Sequence, residues 1–375
     1  MASLRCLVTG GAGFIGSHIV DGLIKHGHKV RILDNLDPQV HGPDGNPPAY
    51  LNPKAEFVHG DVRDRDVVLL CLQDIDVVFH EAGAVGVGQS MYEIEHYVEC
   101  NTLGTAILLD VIINEKLPLK KLIVAGSQAA YGEGTYECDQ CGIFYPDPRT
   151  DEQLGKRRWE MRCPHCDKEA KALPTLEDRP QRPHSIYALG KLDQERMVMM
   201  LGAAYGIPAV SLRYFNVYGD RQALSNPYTG VTAMFASRLL NDNPPLVFED
   251  GLQSRDFIHV SDVVEANLLA MTRKQANHQI FNIGEGKPTT VLGIALLLAD
   301  EMGKNIDPKI TGEYRPGDLR HSYGDISKAR KLLHFKPKIA FQNGVEQLIE
   351  WVKIQQAEDR IEQATEELRE RGLLK

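Results

Sequence analysis

The sequence predicts an α/β fold with a doubly wound parallel sheet, a smaller C-terminal domain and a zinc-ribbon-like insertion. Three observations carry that expectation. Short apolar runs recur along the first 214 residues, each ending in a glycine, acid or small polar residue and separated from the next by a helical pattern. A glycine-rich turn follows the first of these runs directly. Two Cys-x-x-Cys pairs interrupt the pattern in mid-chain.

At 375 residues the chain can bury two cores, or one large core with additions. Hydrophobic content of 43% and charged content of 25% are those of a globular protein. A net charge of -9 argues against nucleic acid or an anionic membrane as the main partner. No apolar run is long enough to span a bilayer. Met1-Ala-Ser-Leu-Arg runs straight into a strand, which leaves no room for a signal peptide. The seven cysteines are an odd number, with Cys6, Cys71 and Cys100 scattered, a usage that fits a reducing cytoplasm.

The first strand, Leu4 to Thr9, enters Gly10-Gly-Ala-Gly-Phe-Ile-Gly16, and Phe14, Ile15, Ile19 and Leu23 continue at helical spacing. Gly10, Gly13 and Gly16 allow a tight turn and a close backbone approach to a pyrophosphate on the helix N-terminus. This is a Rossmann-type dinucleotide-binding unit. The second strand, Lys29 to Leu33, ends at Asp34, 18 residues past Gly16. An acid there accepts from an adenosine ribose and repels a 2′-phosphate. No Arg or Lys follows in Asn35-Leu-Asp37, so the expected cofactor is NAD rather than NADP.

Residues 37–53 read as an irregular loop rich in Pro, Gly and Asn. Strands follow at Glu56 to His59, Val77 to His80 and Leu122 to Ala125, with a helix from Asn101 to Ile113. Asp61, His80, Gly83 and Ser127 stand at strand ends, where ligands bind in such sheets. Further strands are expected at Pro208 to Tyr214, Arg255 to His259 and Phe281 to Ile283, and helices at Val231 to Leu240 and from Asp262.

Cys138-Asp-Gln-Cys141 and Cys163-Pro-His-Cys166 have 21 residues between Cys141 and Cys163. Four thiolates at this spacing suit tetrahedral Zn2+. With sulfur in all four positions no site stays open for water, so the metal is expected to be structural. Lys156, Arg157, Arg158 and Arg162 form a basic cluster nearby, better read as a solvated face than as a nucleic-acid site.

Ser185-Ile-Tyr-Ala-Leu-Gly-Lys191 sets Tyr187 and Lys191 one helical turn apart on one face. A phenol, with its usual pKa near ~10, becomes a useful base only if a neighbouring ammonium favours the phenolate. The last stretch, 353–375, is highly charged; Ile354, Ala357, Ile361, Ala364 and Leu368 follow an a/d spacing too short for a confident coiled coil. It is expected as a helix laid on the body or a frayed end.

Together these residues resemble the extended short-chain dehydrogenase/reductase family, in particular its NAD-dependent nucleotide-sugar epimerases. The resemblance covers roughly residues 4 to 350. It rests on the glycine loop, Gly60-Asp-Val62, Ser127 with Tyr131-Gly132, Tyr187 with Lys191, Leu212 to Gly219, Arg255 to Val260 and Arg315-Pro-Gly-Asp318. It implies that Tyr187 is the acid/base, that Lys191 binds the nicotinamide ribose, and that Ser127 holds the reacting hydroxyl. It also implies cofactor contacts from Gly10, Gly13, Phe14, Ile15, Gly16, Asp34, Asn35, Asp61, Val62, His80, Ala82, Gly83, Asn101 and Tyr214. The nucleoside-diphosphate sugar is expected on Ser127, Gln128, Asn216, Val231, Arg255, Arg315 and Asp318.

The implied layout is a NAD-binding domain over 1–214 to which 255–282 returns, a metal insertion over 133–173, a substrate domain over 215–254 and 283–352, and a tail over 353–375. A cytoplasmic homodimer is implied, paired through helices near Asn101–Ile113 and Tyr187–Leu201. Two departures stand out. Glu81 stands where the family usually has a small residue and receives no role. Ser127 and Tyr187 are 60 residues apart, a spacing stretched by the cysteine insertion, which is similar to that of some bacterial enzymes assigned as dTDP-L-rhamnose 4-epimerases. The implied reaction is epimerisation at C4 through a 4-keto sugar. UDP-glucose or UDP-glucuronate 4-epimerase is the alternative; a dehydratase, a reductase and a non-enzymatic NAD-binding protein are remoter ones. The family's dehydratases carry Asp-Glu directly after the residue matching Ser127; here those positions are Gln128 and Ala129.

Overall fold

A computed structural model describes residues 3–375. Seven parallel strands form the main sheet: β1 Arg5–Thr9, β2 Lys29–Asp34, β3 Glu56–His59, β4 Val77–His80, β5 Lys121–Ser127, β6 Ala209–Tyr214 and β7 Gln279–Ile283. Their spatial order is β7-β6-β5-β4-β1-β2-β3. The order reverses between β1 and β4, and the carboxyl ends there open the crevice in which such sheets bind ligands. β1, β4, β5 and β6 are buried along almost their whole length because helices cover both faces. Ile19 and Leu23 of α1 (Phe14–Lys25) pack with Val263 and Ala266 on one face. Val68, Leu108 and Val198 fill the other.

Helix α1 starts beneath the glycine turn. Gly10 sits at φ +68, and a Cβ at Gly16 would lie 2.1 Å from the Gly10 carbonyl oxygen, so both positions exclude side chains.

The smaller domain is built on strands Asn216–Tyr218, Ser254–His259 and Pro288–Thr290. Tyr218 meets Phe341 edge to face and Phe257 meets it at a tilt, at centroid distances of 4.9 and 5.0 Å, and the three seed its core. Of the segment expected to return to the main domain, helix Val260–Thr272 and β7 do so, whereas Arg255–His259 stays in the small sheet. The insertion is a three-stranded antiparallel sheet, Thr135–Cys138, Gly142–Phe144 and Lys171–Leu173. Tyr136, Met161 and Ala170 form its small core. The helix expected from Asn101 begins as a π-helical stretch, Val98–Leu103, and continues as Gly104–Asn114. In the last segment the helix runs from Ile361 to Glu370, and Ile354 is exposed. No described helix is long and apolar enough to cross a membrane.

Candidate active site

Ser185 caps the helix Ile186–Tyr205, its hydroxyl accepting from Ala188 N at 3.1 Å. The cap fixes where the helix begins, and so sets Tyr187 and Lys191 on consecutive turns facing the crevice. Ser127, the last residue of β5, faces Tyr187 from the sheet. All three line a cavity of about 480 Å³ that runs from the glycine turn to the Tyr187 helix.

Most of the residues expected to meet the cofactor lie on the same wall. Gly10, Gly13, Phe14, Ile15, Gly16, Asp34, Asn35, Asp61, Val62, Ala82, Gly83 and Tyr214 all line it. Asp34 also braces the glycine turn: Oδ2 accepts from Ala12 N and Oδ1 from Leu36 N, both at 2.9 Å. Burial pushes the Asp61 carboxyl up, but hydrogen bonds from Arg63 and Asn35 outweigh it and hold its pKa below the ordinary value.

Two expected cofactor residues stand behind the wall instead. His80 is fully buried. Its Nδ1 pairs with Thr9 Oγ1 and its Nε2 with Thr105 Oγ1, both at 2.8 Å. Burial and the Lys191 charge push its pKa down to about 3, so it is a neutral cross-brace between β1, β4 and the helix after β4. Asn101 accepts from Ala84 N at 2.8 Å and donates to Ala84 O at 3.2 Å. It shapes the loop whose Ala82 and Gly83 form the wall, and is fully buried itself.

The lowered phenol pKa expected from Lys191 is absent. Burial pushes Tyr187 up, and the Ser127 hydroxyl offsets this only in part. Lys191 is itself held down to about 8 by burial, against the pull of Glu81 and Glu195. An ammonium so close to losing its proton is a weak partner for a phenolate.

Glu81 is the residue the sequence left without a role. It lines the cavity, and its Oε1 accepts from the Tyr214 hydroxyl at 3.0 Å. That hydroxyl in turn accepts from Asn267 Nδ2 at 2.8 Å. Burial pushes the Glu81 carboxyl up to about 7, against Lys191 and the Tyr214 hydrogen bond. The only signal in the sequence was an acid where a buried strand end calls for an apolar side chain.

A second cavity, of about 270 Å³, adjoins the first and shares Gln128, Asn216 and Tyr228–Gly230 with it. Val231, Arg255, Arg315 and Asp318, four of the residues expected to meet the substrate, line it. Arg315 pairs with Asp318 at 2.7 Å. Arg255 donates to the carbonyls of Leu319 at 2.7 Å and Ser254 at 2.8 Å, which leaves its charge uncancelled by any carboxylate within bonding distance.

Sequence reasoning missed how the insertion supports this subsite. Arg149, within the insertion, is 1% exposed and reaches Glu249 at 2.8 Å and the Asp318 carbonyl at 2.9 Å. Glu160 holds Arg320 at 2.5 Å and His321 at 3.0 Å. The four cysteine Sγ atoms lie within 4.8 Å of one another, and Cys138 Sγ and Cys166 Sγ are 3.5 Å apart. A tetrahedron of Zn–S bonds near ~2.3 Å sets its sulfurs about 3.8 Å apart, so the cluster fits the ion.

Comparison with known proteins follows the same geometry. The model of the NAD dependent epimerase/dehydratase family matches residues 6–151 and 165–284. The chain belongs to that family. The break in the match, 152–164, falls inside the four-cysteine insertion. A dTDP-L-rhamnose 4-epimerase of Burkholderia thailandensis is 34% identical, over 93% of this chain and 94% of its own length. A putative UDP-glucose 4-epimerase of Methanocaldococcus jannaschii is 36% identical, over 92% of this chain and 98% of its own. The crystal structure of UDP-glucuronic acid 4-epimerase from Bacillus cereus, in complex with UDP-glucuronic acid and NAD, superposes with a TM-score of 0.76 at 28% identity, covering 93% of this chain and 99% of that one. The chain takes its place among the family's NAD-dependent nucleotide-sugar 4-epimerases.

Proposed function

We propose that this enzyme inverts C4 of a nucleoside-diphosphate sugar, with dTDP-L-rhamnose, giving dTDP-6-deoxy-L-talose, as the favoured substrate. The observation that carries the reading is the joint between the two cavities. Gln128 and Asn216 border both, and Ser127, Tyr187 and Lys191 stand on the cofactor side of it. A sugar whose diphosphate lies against Arg255 and Arg315 extends its ring to that joint.

Tyr187 Oη takes the proton of the C4 hydroxyl as the C4–H bond breaks, and Ser127 Oγ holds the same oxygen in place. Bound NAD supplies the hydride acceptor and donor, and a positive charge that favours the phenolate. Held by its diphosphate rather than by its ring, the 4-keto sugar turns and presents its other face. Tyr187 then returns the proton to the C4 oxygen, so no net oxidation remains. The glycine turn, the α1 N-terminus and Asp34 would hold the cofactor's pyrophosphate and adenosine ribose.

Likeness to the Burkholderia enzyme supports the rhamnose substrate. Comparable likeness to the Methanocaldococcus protein supports a UDP-glucose or UDP-glucuronate 4-epimerase as the second reading. We assign structural zinc to Cys138, Cys141, Cys163 and Cys166: four thiolates would fill its tetrahedron and leave no position for chemistry. A homodimer and a cytoplasmic location belong to the same reading. The test is incubation with dTDP- and UDP-hexoses while products are followed by NMR. The reading requires a C4 epimer from at least one of them, and none from any would sink it.

A further inference from the structure

The segment 353–375 has a position that its charge-rich sequence conceals. Ile361, Ala364, Thr365 and Leu368 line the same cavity as Arg255 and Arg315. Each is 8% exposed or less. Leu368 packs on Gly88, its Cδ2 lying 3.4 Å from where a Cβ would stand.

The charges of the helix are spent at its edges. Asp359 and Glu362 meet the buried Arg238 at 3.2 and 2.9 Å. Glu367 accepts from the Tyr228 hydroxyl at 3.3 Å, and Arg371 lies 4.0 Å over the Tyr92 ring. Beyond the helix, the backbone of Lys375 pairs with that of Tyr314 in both directions, beside Arg315. Its ammonium reaches Asp151 of the insertion at 2.5 Å. The face left toward the cavity offers no free polar group, because Thr365 Oγ1 is bonded to Ile361 O at 2.6 Å. An apolar wall opposite two arginines suits a ligand that is flat and apolar at one end and anionic at the other.

We propose that the segment 353–375 is part of the substrate site, supplying the wall against which the base and ribose of a nucleoside diphosphate rest while Arg255 and Arg315 hold its phosphates. This rests on the cavity being a nucleotide subsite. The Arg238–Asp359 pair is buried and fastens the chain just before the helix. The pairs farther along are exposed and contribute little, and along the cavity face it is the apolar contacts that hold the wall in place. Ligand affinity and wall closure are therefore coupled: a bound base covers the same side chains that fasten the helix.

The test uses the full-length chain and two probes, dTDP and UDP, with binding read by calorimetry and retained NAD measured after denaturation. Ala364→Phe places a ring in the subsite without removing the helix. Leu368→Asp charges its apolar face. Both variants should keep their NAD and bind both diphosphates more weakly, by about tenfold or more. If Ala364→Phe binds dTDP and UDP as tightly as the parent, the helix is not part of the site. If the parent itself binds neither diphosphate, it is the reading of the cavity that fails, and the two failures are distinct.

Discussion

The Tyr214 hydroxyl donates to Glu81 Oε1 over 3.0 Å, and that carboxyl is the largest favourable influence on the charge of Lys191. The arrangement gives the enzyme a specific pH dependence. Lys191 sheds its proton as pH rises through about 8, and with it the charge proposed to hold the nicotinamide ribose. Glu81 ionises as pH rises through about 7, and its new charge favours the protonated amine. Glu81→Gln removes that charge and keeps the shape, so Lys191 should lose its proton at a lower pH. The alkaline limb of the kcat profile is then expected to move toward acid, while Glu81→Asp leaves it nearer the parent. An unmoved limb in Glu81→Gln would show that the carboxyl does not act on Lys191.

Tyr187→Phe removes the proton acceptor and little else. It should fold, keep its NAD and lose turnover by about 10²–10⁴-fold, the usual worth of a positioned acid/base. Ser127→Ala should cost less, because it orients the oxygen without taking its proton. A Tyr187→Phe enzyme that turns over near the parental rate removes the central assignment.

Metal analysis of protein purified without chelator should give one zinc per chain, and Cys163→Ser should abolish it. Loss of the ion should weaken the sugar nucleotide more than NAD. The reason is local: Arg149 holds the Asp318 carbonyl at 2.9 Å and Glu160 holds Arg320 at 2.5 Å, and both reach the substrate loop from the insertion. Metal-free native protein would overturn the zinc assignment. Equal weakening of both ligands would overturn the proposed route.

A homodimer should form through the Tyr187 helix and its neighbour. Ile94, Val98, Leu103, Leu189 and Met200 are 43–62% exposed along these helices, more apolar surface than a solvated face needs. Light scattering should give twice the chain mass, and Leu103→Glu with Met200→Glu should halve it. A parent that is monomeric at micromolar concentration rules the dimer out.

How much of this was legible depended on whether a local rule and the tertiary fold agreed. β4 falls on the expected residues because a buried parallel strand reads as an apolar run closed by a turn, and β3, a partly exposed edge strand, does so through the Gly60-Asp61 turn that closes it. The glycine turn, Asp34 and the Tyr187–Lys191 pair were visible because each obeys a fixed spacing. His80 and Asn101 have the right positions in sequence, but strand-end spacing cannot distinguish a side chain on the wall from one bonded behind it. Glu81 was hidden because an acid after a strand reads as solvated until its neighbours are known. A helix laid on the body was among the expectations for 353–375, but the cavity that helix Ile361–Glu370 lines was hidden because its few apolar residues are diluted by charges. Arg149 and Arg320 had no signal: their carboxylate partners Glu249 and Glu160 lie 100 and 160 residues away in sequence.

The reaction should leave carbon-bound deuterium absent when run in deuterium oxide. Epimerase and dehydratase both begin with oxidation at C4, so Tyr187, Lys191 and Asp34 serve either. Loss of water across C5 and C6 needs a base for the C5 proton and an acid for the departing hydroxyl. The two positions after Ser127 are Gln128 and Ala129, and the Gln128 carbonyl oxygen already accepts from the Ser322 hydroxyl. An amide has no useful proton-transfer pKa, and a methyl group has none. Glu81, a buried carboxyl pushed up to about 7, lines the cofactor cavity and not the substrate cavity. The carboxylates that do line the substrate cavity, Glu249 and Asp318, are engaged by Arg149 and Arg315. With no group to exchange the C5 proton, the hydride that leaves C4 is the hydride that returns. Product NMR should therefore show inversion at C4 with every sugar carbon bearing its original hydrogen. Deuterium at C5 or C6, or a 4-keto-6-deoxy product, would identify a dehydratase instead.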